Sequence, residues 1–442
     1  MNAILGVGIV GLPYALSNLG YVFFGILIIL VALIALYDID LLLLLCNKLE
    51  TTSYERIATL SYGNIGKIYT CVMLFLHTLF AICGFMFTVR YEMPPLIEGI
   101  IGYEKSCGSS DDDSKPWYLE GNLLVLITML VIVLPLSTFR NIDFLGYTSG
   151  IGMLCMIVFT GIITAYKFII TCPVTNYKGA DSFFNKYDEI ENNPNCSVES
   201  VFEDYAVEFY DLAQNQTCQS ETFVVNSNTA FAIPTLLFSF QCHASCLPIY
   251  SELAILGNFQ AARKTMHKVS ITAIFAVLAI YCLCSYFAYF TWYNLTMEEV
   301  LMMYTSLDAS DPMIITARIC TLTCVILSAP LLHFPCRKAV TKLFWSDDVE
   351  FSWIRHLSIM VVILALVTIL VVFLPGIQII FGYAGAITAN SLMLILPNLF
   401  FYKMGPVSKE NGERGFKHYL SLAIAIIGVV IMIGNTILLA LA

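Results

Sequence analysis

Phe238-Ser239-Phe240-Gln241-Cys242-His243-Ala244-Ser245 is a polar island set between Pro234 and Pro248, in a segment that is otherwise apolar from 229 to 249. About twenty apolar residues are enough to carry a helix across a hydrocarbon core of about 30 Å. Inside lipid the backbone must satisfy its own polar groups, so prolines and hydroxyls in such a span mark a break buried in protein or facing a cavity. The rest of the chain supplies the surroundings for this break. Of its 442 residues 58% are hydrophobic and 12% are charged, and mean hydropathy is +0.80, whereas soluble domains carry about a quarter charged residues. A water-soluble fold is excluded. Apolar runs recur near 1–19, 21–46, 68–91, 120–138, 146–170, 229–249, 269–292, 313–335, 356–375, 377–402 and 419–442. They predict an all-α membrane protein of about eleven spans, and the short alternating segments of a β-barrel are not evident.

Lys and Arg counted over alternate loops fix the orientation. Fifteen, from Lys48 to Lys417, fall on one side and six on the other, with Arg318 inside a span. The richer side is cytosolic, and the chain ends outside. The outward loop 171–228 then carries two glycan acceptor sequons, at Asn195 and Asn215, together with Cys172, Cys196 and Cys218. Both features belong on an oxidising, lumenal or extracellular side. Cys107 lies in the other long outer loop, so four outer cysteines allow three pairings. A further sequon, at Asn294, sits at a helix end. The net charge of −10 resides mostly in two outer loops, and nothing resembles a nucleic-acid footprint.

Three motifs invite other readings. Gly6-Val7-Gly8-Ile9-Val10-Gly11 matches a dinucleotide fingerprint, but that turn needs a preceding strand, and here it lies in an apolar helix ending at Pro13. Gly63-Asn64-Ile65-Gly66-Lys67 has the wrong spacing for a phosphate loop. Cys242, His243 and Cys246 lack a fourth ligand nearby for zinc. No nucleophile-and-base pattern stands out, so the chain is not read as an enzyme, and no organic cofactor is implied.

A carrier of a zwitterion must complete the ligand's hydrogen bonds near the bilayer midplane, and a broken helix does so with freed N–H and carbonyl groups. Gly6, Gly8, Gly11 and Pro13 weaken the first span as the polar island weakens the sixth. The two positions are equivalent if spans one to five and six to ten are inverted repeats. Glycines also permit close helix packing, but the matched break favours binding. Candidate substrate contacts are Gly6, Val7 and Gly8 of the first span and Phe238, Ser239 and His243 of the sixth.

NAILGVGIVGLPYAL, VRYEMP, FLGYTSG, TCPVT, FSFQCHASCLPIYSEL, PLLHFPCRKAVT, FSWIRH and FGYAGA occur in order along nearly the whole chain. Together they resemble the sodium-coupled neutral amino acid transporters of the amino acid/auxin permease superfamily. The resemblance implies a five-plus-five inverted-repeat core with one added C-terminal helix. It also implies sodium-driven symport of substrates such as glutamine or alanine by alternating access, in a multi-pass protein of the plasma membrane. By the same resemblance Asn2 and Ser328 match residues implicated in sodium binding, and Cys172 pairs with Cys218. Asn2 lies inside the family's first span, so an N-terminal segment is expected to be missing.

The chain departs from the family at several places. His77-Thr78 stand where Gln-Asn is usual, and Phe80 where glycine is usual. Asp38 and Asp40 lie seventeen to nineteen residues from the outer end of the second span, roughly 26 to 29 Å deep at 1.5 Å per residue, which places both at the inner interface. With His77 and His243 they make proton coupling an alternative. A sensor that binds an amino acid without turnover is the other.

Overall fold

The computed structural model describes residues 1–442 apart from 3, 7, 104–115, 140–142, 194–197, 199–201, 203, 256, 257, 306–309, 346–350, 375, 408–413 and 442. Every regular element among the described residues is helical. Among the described residues nine helices are long and apolar enough to cross a membrane, and two shorter ones, Gly8–Ser17 and Gly121–Ser137, bring the spans to eleven. In chain order these are Gly8–Ser17, Tyr21–Leu49, Tyr54–Ile101, Gly121–Ser137, Asp143–Ile169, Thr229–Ala254, Phe259–Trp292, Pro312–Phe344, Trp353–Phe373, Ile377–Met404 and Phe416–Leu441.

Two boundaries differ from the sequence reading for a physical reason. The first span becomes helical only at Gly8, because the residues before it contribute backbone to the break. The third is not confined to 68–91. It begins at Tyr54 and is interrupted at Tyr62 and Gly63, where Gly63 takes a φ of 65°, a value that suits a residue without a Cβ. Ser53 caps the short first piece, its Oγ accepting from Arg56 N at 3.4 Å. Glu55 in that piece pairs with Lys342 at 3.3 Å. Charged turns of this kind lie outside the hydrocarbon, and a hydropathy window misses them.

Packing partners recur at an offset of five. Spans one and six, two and seven, and three and eight contact each other. The contact of three with four recurs as eight with nine, four with eight as nine with three, and five with eight as ten with three. Likewise five with seven recurs as ten with two, and six with two as one with seven. These recurrences on adding five are what two five-span repeats produce, although the extensive contact of six with ten has no comparable counterpart between one and five. The eleventh span packs on the tenth and sixth, outside this scheme. Of the nine longer spans six, ten, three and eight are the most buried, and eleven and five the least; eight of the ten residues of Gly8–Ser17 are buried too, so the break lies at the centre of the molecule.

The long loop 171–228 is itself structured. Helices Asp181–Glu191 and Asp204–Gln214 pack through Tyr187 stacked on Tyr210 at 3.7 Å between ring centroids. The second helix meets the seventh span through Phe209 and Trp292, 5.7 Å apart. Cys172 and Cys218 are joined by a disulfide that closes this loop. Asn215 is exposed, whereas Asn195, Cys107 and Cys196 lie outside the described residues.

The two aspartates of the second span part company. Asp40 is partly exposed and pairs with Arg263 at 3.2 Å and His267 at 3.4 Å, as an interfacial carboxylate would. Asp38 is fully buried, so it is not the solvated carboxylate that its depth suggested. Residues two apart on a helix face nearly opposite ways, so the same depth turns Asp40 to the rim and Asp38 towards the tenth span. There Asn398 donates from Nδ2 to Asp38 Oδ1 at 2.7 Å.

Candidate functional site

The sixth span is a helix at Thr229–Ser239, then non-helical residues, then a second helix at His243–Ile255. Opposite it, the first span is not helical before Gly8. Two helices therefore begin at the break, Gly8–Ser17 and His243–Ile255. Their first turns carry N–H groups without intrahelical acceptors and the positive end of the helix dipole. Such ends attract a carboxylate.

The closeness of the two breaks explains the glycines. A Cβ on Gly8 would stand 2.5 Å from Ser239 Oγ and 3.1 Å from Ser239 Cα. One on Gly6 would stand 2.8 Å from the Phe85 ring of the third span. The Gly8 collision involves backbone, so only glycine lets these breaks meet. Ser239 Oγ itself donates to Thr235 O at 2.8 Å. Phe238 lies between the rings of His77 and Phe381, 5.2 and 5.1 Å away. His243 is fully buried, with Nδ1 2.6 Å from Gln241 Oε1. Among the described residues His243 Nε2 and Gln241 Nε2 have no hydrogen-bond partner. Val7 lies outside the described residues.

Tyr281 of the seventh span was not legible as a site residue. Its hydroxyl donates to Ile4 O, in the non-helical start of the first span, and to Ser239 O at 3.1 Å in the sixth. One fully buried phenol thus holds both broken spans. A sequence signal existed in principle, since a buried tyrosine hydroxyl needs a partner, but several tyrosines in the seventh span carry the same signal. His77 reaches the tenth span, with Nδ1 3.2 Å from Thr388 Oγ1. That stretch of the tenth span, Ala384–Ala389, is a π-helical turn, a geometry frequent at functional sites.

Asn2 and Ser328, from the first and eighth spans, lie together. Asn2 Nδ2 donates to Ser328 Oγ at 2.9 Å, and Cys324 Sγ is 3.7 Å from Asn2 Oδ1. Both residues are buried. The amide nitrogen of Asn2 is what faces Ser328, while its oxygen is turned towards Cys324; oxygen ligation is what suits a hard cation. Cys242, His243 and Cys246 do not gather further ligands: among the described residues no three His, Cys, Asp or Glu side chains are grouped to hold a metal.

Two narrow crevices flank the break. The outer one, about 10 Å³, is lined by Tyr14, Thr235, Glu298, Gln378 and Phe381. The inner one, about 20 Å³, is lined by Glu55, Ala244, Pro248 and Lys338. A single water needs about 10–15 Å³, so neither admits an amino acid as it stands.

Comparison with known proteins agrees with this architecture. The family model for transmembrane amino acid transporter proteins matches residues 1–441. The chain belongs to that family. Among similar proteins, sodium-coupled neutral amino acid transporter 4 of Pongo abelii is 34% identical over 461 residues, covering 98% of this chain and 81% of that protein. The Homo sapiens protein of the same name is also 34% identical with the same coverage, and that of Rattus norvegicus 33%. This places the chain among transporters rather than enzymes, and the buried breaks are the part of the fold where a transporter's substrate would be held.

Proposed function

We propose that this protein carries small neutral amino acids, glutamine and alanine among them, across the plasma membrane together with sodium. Alternating access would turn on the break shared by spans one and six. The observation that carries this reading is the meeting of the two breaks, with Gly8 against Ser239 and Tyr281 bonded to both. Paired helix N-termini suit the substrate carboxylate, and freed carbonyls suit its ammonium. Gly6, Val7, Gly8, Phe238, Ser239 and His243 would form the substrate site. The relatives' names, together with the contact of Asn2 with Ser328, support sodium as the coupling ion. The outer loop 171–228 would carry glycans at Asn195 and Asn215 and leave transport to the spans.

Bound sodium would tie the first span to the eighth and so complete the substrate site, making the two ligands raise each other's affinity. Radiolabelled glutamine uptake into proteoliposomes, with sodium replaced by choline at fixed pH, tests the coupling. Uptake should collapse without sodium, and Ser328→Ala should raise the sodium concentration for half-maximal uptake by about tenfold or more while Ser328→Thr stays near wild type. One lost charge-assisted oxygen contact, about 1.5–3 kcal/mol, gives this scale. Uptake that follows a proton gradient and ignores sodium would replace this reading with proton coupling. Amino acid binding without any uptake would replace it with a sensor.

A further inference from the structure

Asp38 and Asn398 face each other where the second span meets the inner half of the tenth, and both are 0% exposed. Asn398 Nδ2 donates to Asp38 Oδ1 at 2.7 Å and to Leu394 O at 2.9 Å. Leu394 O can only accept, so the atom between these two oxygens is the amide nitrogen, and the amide cannot be turned round. Two oxygens are left over. Asp38 Oδ2 and Asn398 Oδ1 are buried, and neither has a hydrogen-bond partner among the described residues. Each is an acceptor, so what the pair needs is a donor.

The charged groups on the elements around Asp38 are engaged elsewhere. On its own span Lys48 donates to Met404 O and Gly405 O at 2.8 and 3.1 Å. On the seventh, Arg263 and His267 pair with Asp40, and Lys264 and Lys268 are exposed. On the third, Glu55 pairs with Lys342 and Arg56 is exposed. On the tenth, Lys403 lies 4.3 Å from the centre of the Tyr62 ring, and on the eleventh His418 lies against Phe401. The other titratable neighbours are phenols and thiols. Tyr54 donates to Leu392 O at 2.8 Å, and Tyr37 Oη is 3.1 Å from Ser421 Oγ. Cys46 and Cys246 are both buried. No basic group therefore serves Asp38 among the described residues.

Ligand number decides what neutralises the acid. A hard cation gathers about six oxygens, whereas only two are unpartnered here and an amide nitrogen occupies the carboxylate's other oxygen. A proton needs no more than two. A charge buried without a partner is neutralised rather than kept. We propose that Asp38 and Asn398 form a proton-binding site, in which Asp38 Oδ2 carries the proton and donates it to Asn398 Oδ1 while Asp38 Oδ1 accepts from Nδ2. Acid and amide then satisfy each other and fasten the second span to the tenth. The fastened stretch follows two π-helical turns, Ala384–Ala389 and Ser391–Ile395, a geometry frequent where helices serve a function. Asp40, two residues on, already reaches solvent. When the two spans part, water reaches Asp38 and the proton leaves at the end that the charge bias assigns to the cytosol; reseating takes one up again. The site goes beyond the transport reading, and its chemistry is the same whichever ion is coupled.

The test compares the full chain in nanodiscs with Asp38→Asn, which keeps the shape of a protonated acid but has no proton to release. Infrared difference spectra at neutral pH should show the C=O stretch of a carboxylic acid lost in Asp38→Asn. That band should not move when sodium is replaced by choline, and it should shift to higher frequency in Asn398→Leu, where Asp38 Oδ1 loses its donor. Carboxylate bands lost in its place would mean that Asp38 is ionised, and an acid band that appears only without sodium would make it a sodium ligand; either result overturns the site. In cells with external pH fixed and internal pH clamped, wild-type glutamine uptake should fall severalfold as internal pH rises from about 6.5 to about 8, because reseating waits for a proton. Asp38→Asn should give a flat profile. Identical profiles would overturn the release of the proton as the spans part. This second arm rests on the transport reading and the spectra do not, so a protein that transports nothing still decides the site.

Discussion

Glu299 shows how far a single residue can stand from what its sequence position suggests. It lies between the seventh and eighth spans, where an acidic loop residue would ordinarily be solvated. It is instead fully buried, and neither carboxylate oxygen has a hydrogen-bond partner among the described residues. Glu92 of the third span and Arg318 of the eighth, themselves 1% and 0% exposed and 3.1 Å apart, are its charged neighbours, with Glu298 beside it. Burial, and after it the charge of Glu92, raises the Glu299 carboxyl well above the ordinary carboxylate range, against the opposing pull of Arg318. A carboxyl raised in the native state binds its proton more tightly folded than unfolded. Its cost to stability is therefore absent below the unfolded value, grows as pH rises from about 4.3, and is fully present above the native value. Glu299→Gln should raise the melting temperature at pH 7.5 by a few degrees, and the two proteins should converge only as pH falls below about 4. Parallel melting curves across that range would show that Glu299 stays charged and stabilised. The glycines were easier to foresee, since only a missing Cβ permits Gly8 to lie against Ser239. Asp38 was not, because depth along a helix says nothing about the direction in which a residue faces.

At the scale of elements, the breaks in spans one and six were legible because glycine, proline and a run of polar side chains are costly in lipid unless used. What holds the breaks in register was not legible, because it comes from a span with no break at all. Tyr281 is one tyrosine of a long continuous helix, Phe259–Trp292, and only the fold shows that its hydroxyl meets the Ile4 and Ser239 carbonyls. Tyr281→Phe removes the donor and keeps the ring, which also packs edge-on against Phe240 at 5.4 Å. The one proton that the two buried carbonyls share is then lost, at about 1–3 kcal/mol in all. If the phenol positions the breaks, glutamine affinity should fall by at least tenfold while protein yield falls less, and Tyr281→Leu should lose function further along with the ring contact. A Tyr281→Phe protein with wild-type affinity and sodium activation would show that the two spans hold their geometry without it.

For the molecule as a whole, hydropathy sufficed for the eleven spans, since they follow from the bilayer as a solvent, and the charge bias supplies the expected orientation. The offset-of-five packing was legible only through the matched breaks. Order in the outer loop was hidden, because polar sequence there reads the same whether it folds or not. That loop is a small cap: Val174 N donates to Gln216 Oε1 at 2.6 Å, Gln216 Nε2 donates to Trp292 O at 3.1 Å, and Thr217 N donates to Asn294 Oδ1 at 2.9 Å. These contacts anchor both ends of the loop near the outer end of the seventh span, where the Cys172–Cys218 bond closes it over a separation of 46 residues. In the chain-entropy account a closure of that length is worth about 4 kcal/mol against the unfolded loop. The bond sits on the cap, away from the break, so it should act on folding and not on turnover. Cys172→Ser with Cys218→Ser should cut the amount of mature, glycosidase-sensitive protein at the cell surface severalfold, and glutamine uptake per surface molecule should stay within about twofold of wild type. Non-reduced peptide mapping should find the two cysteines joined in the wild-type protein. If uptake per surface molecule fell as steeply as abundance, the cap would be part of the transport cycle, and its contacts with the seventh span would then carry motion from the loop to Tyr281.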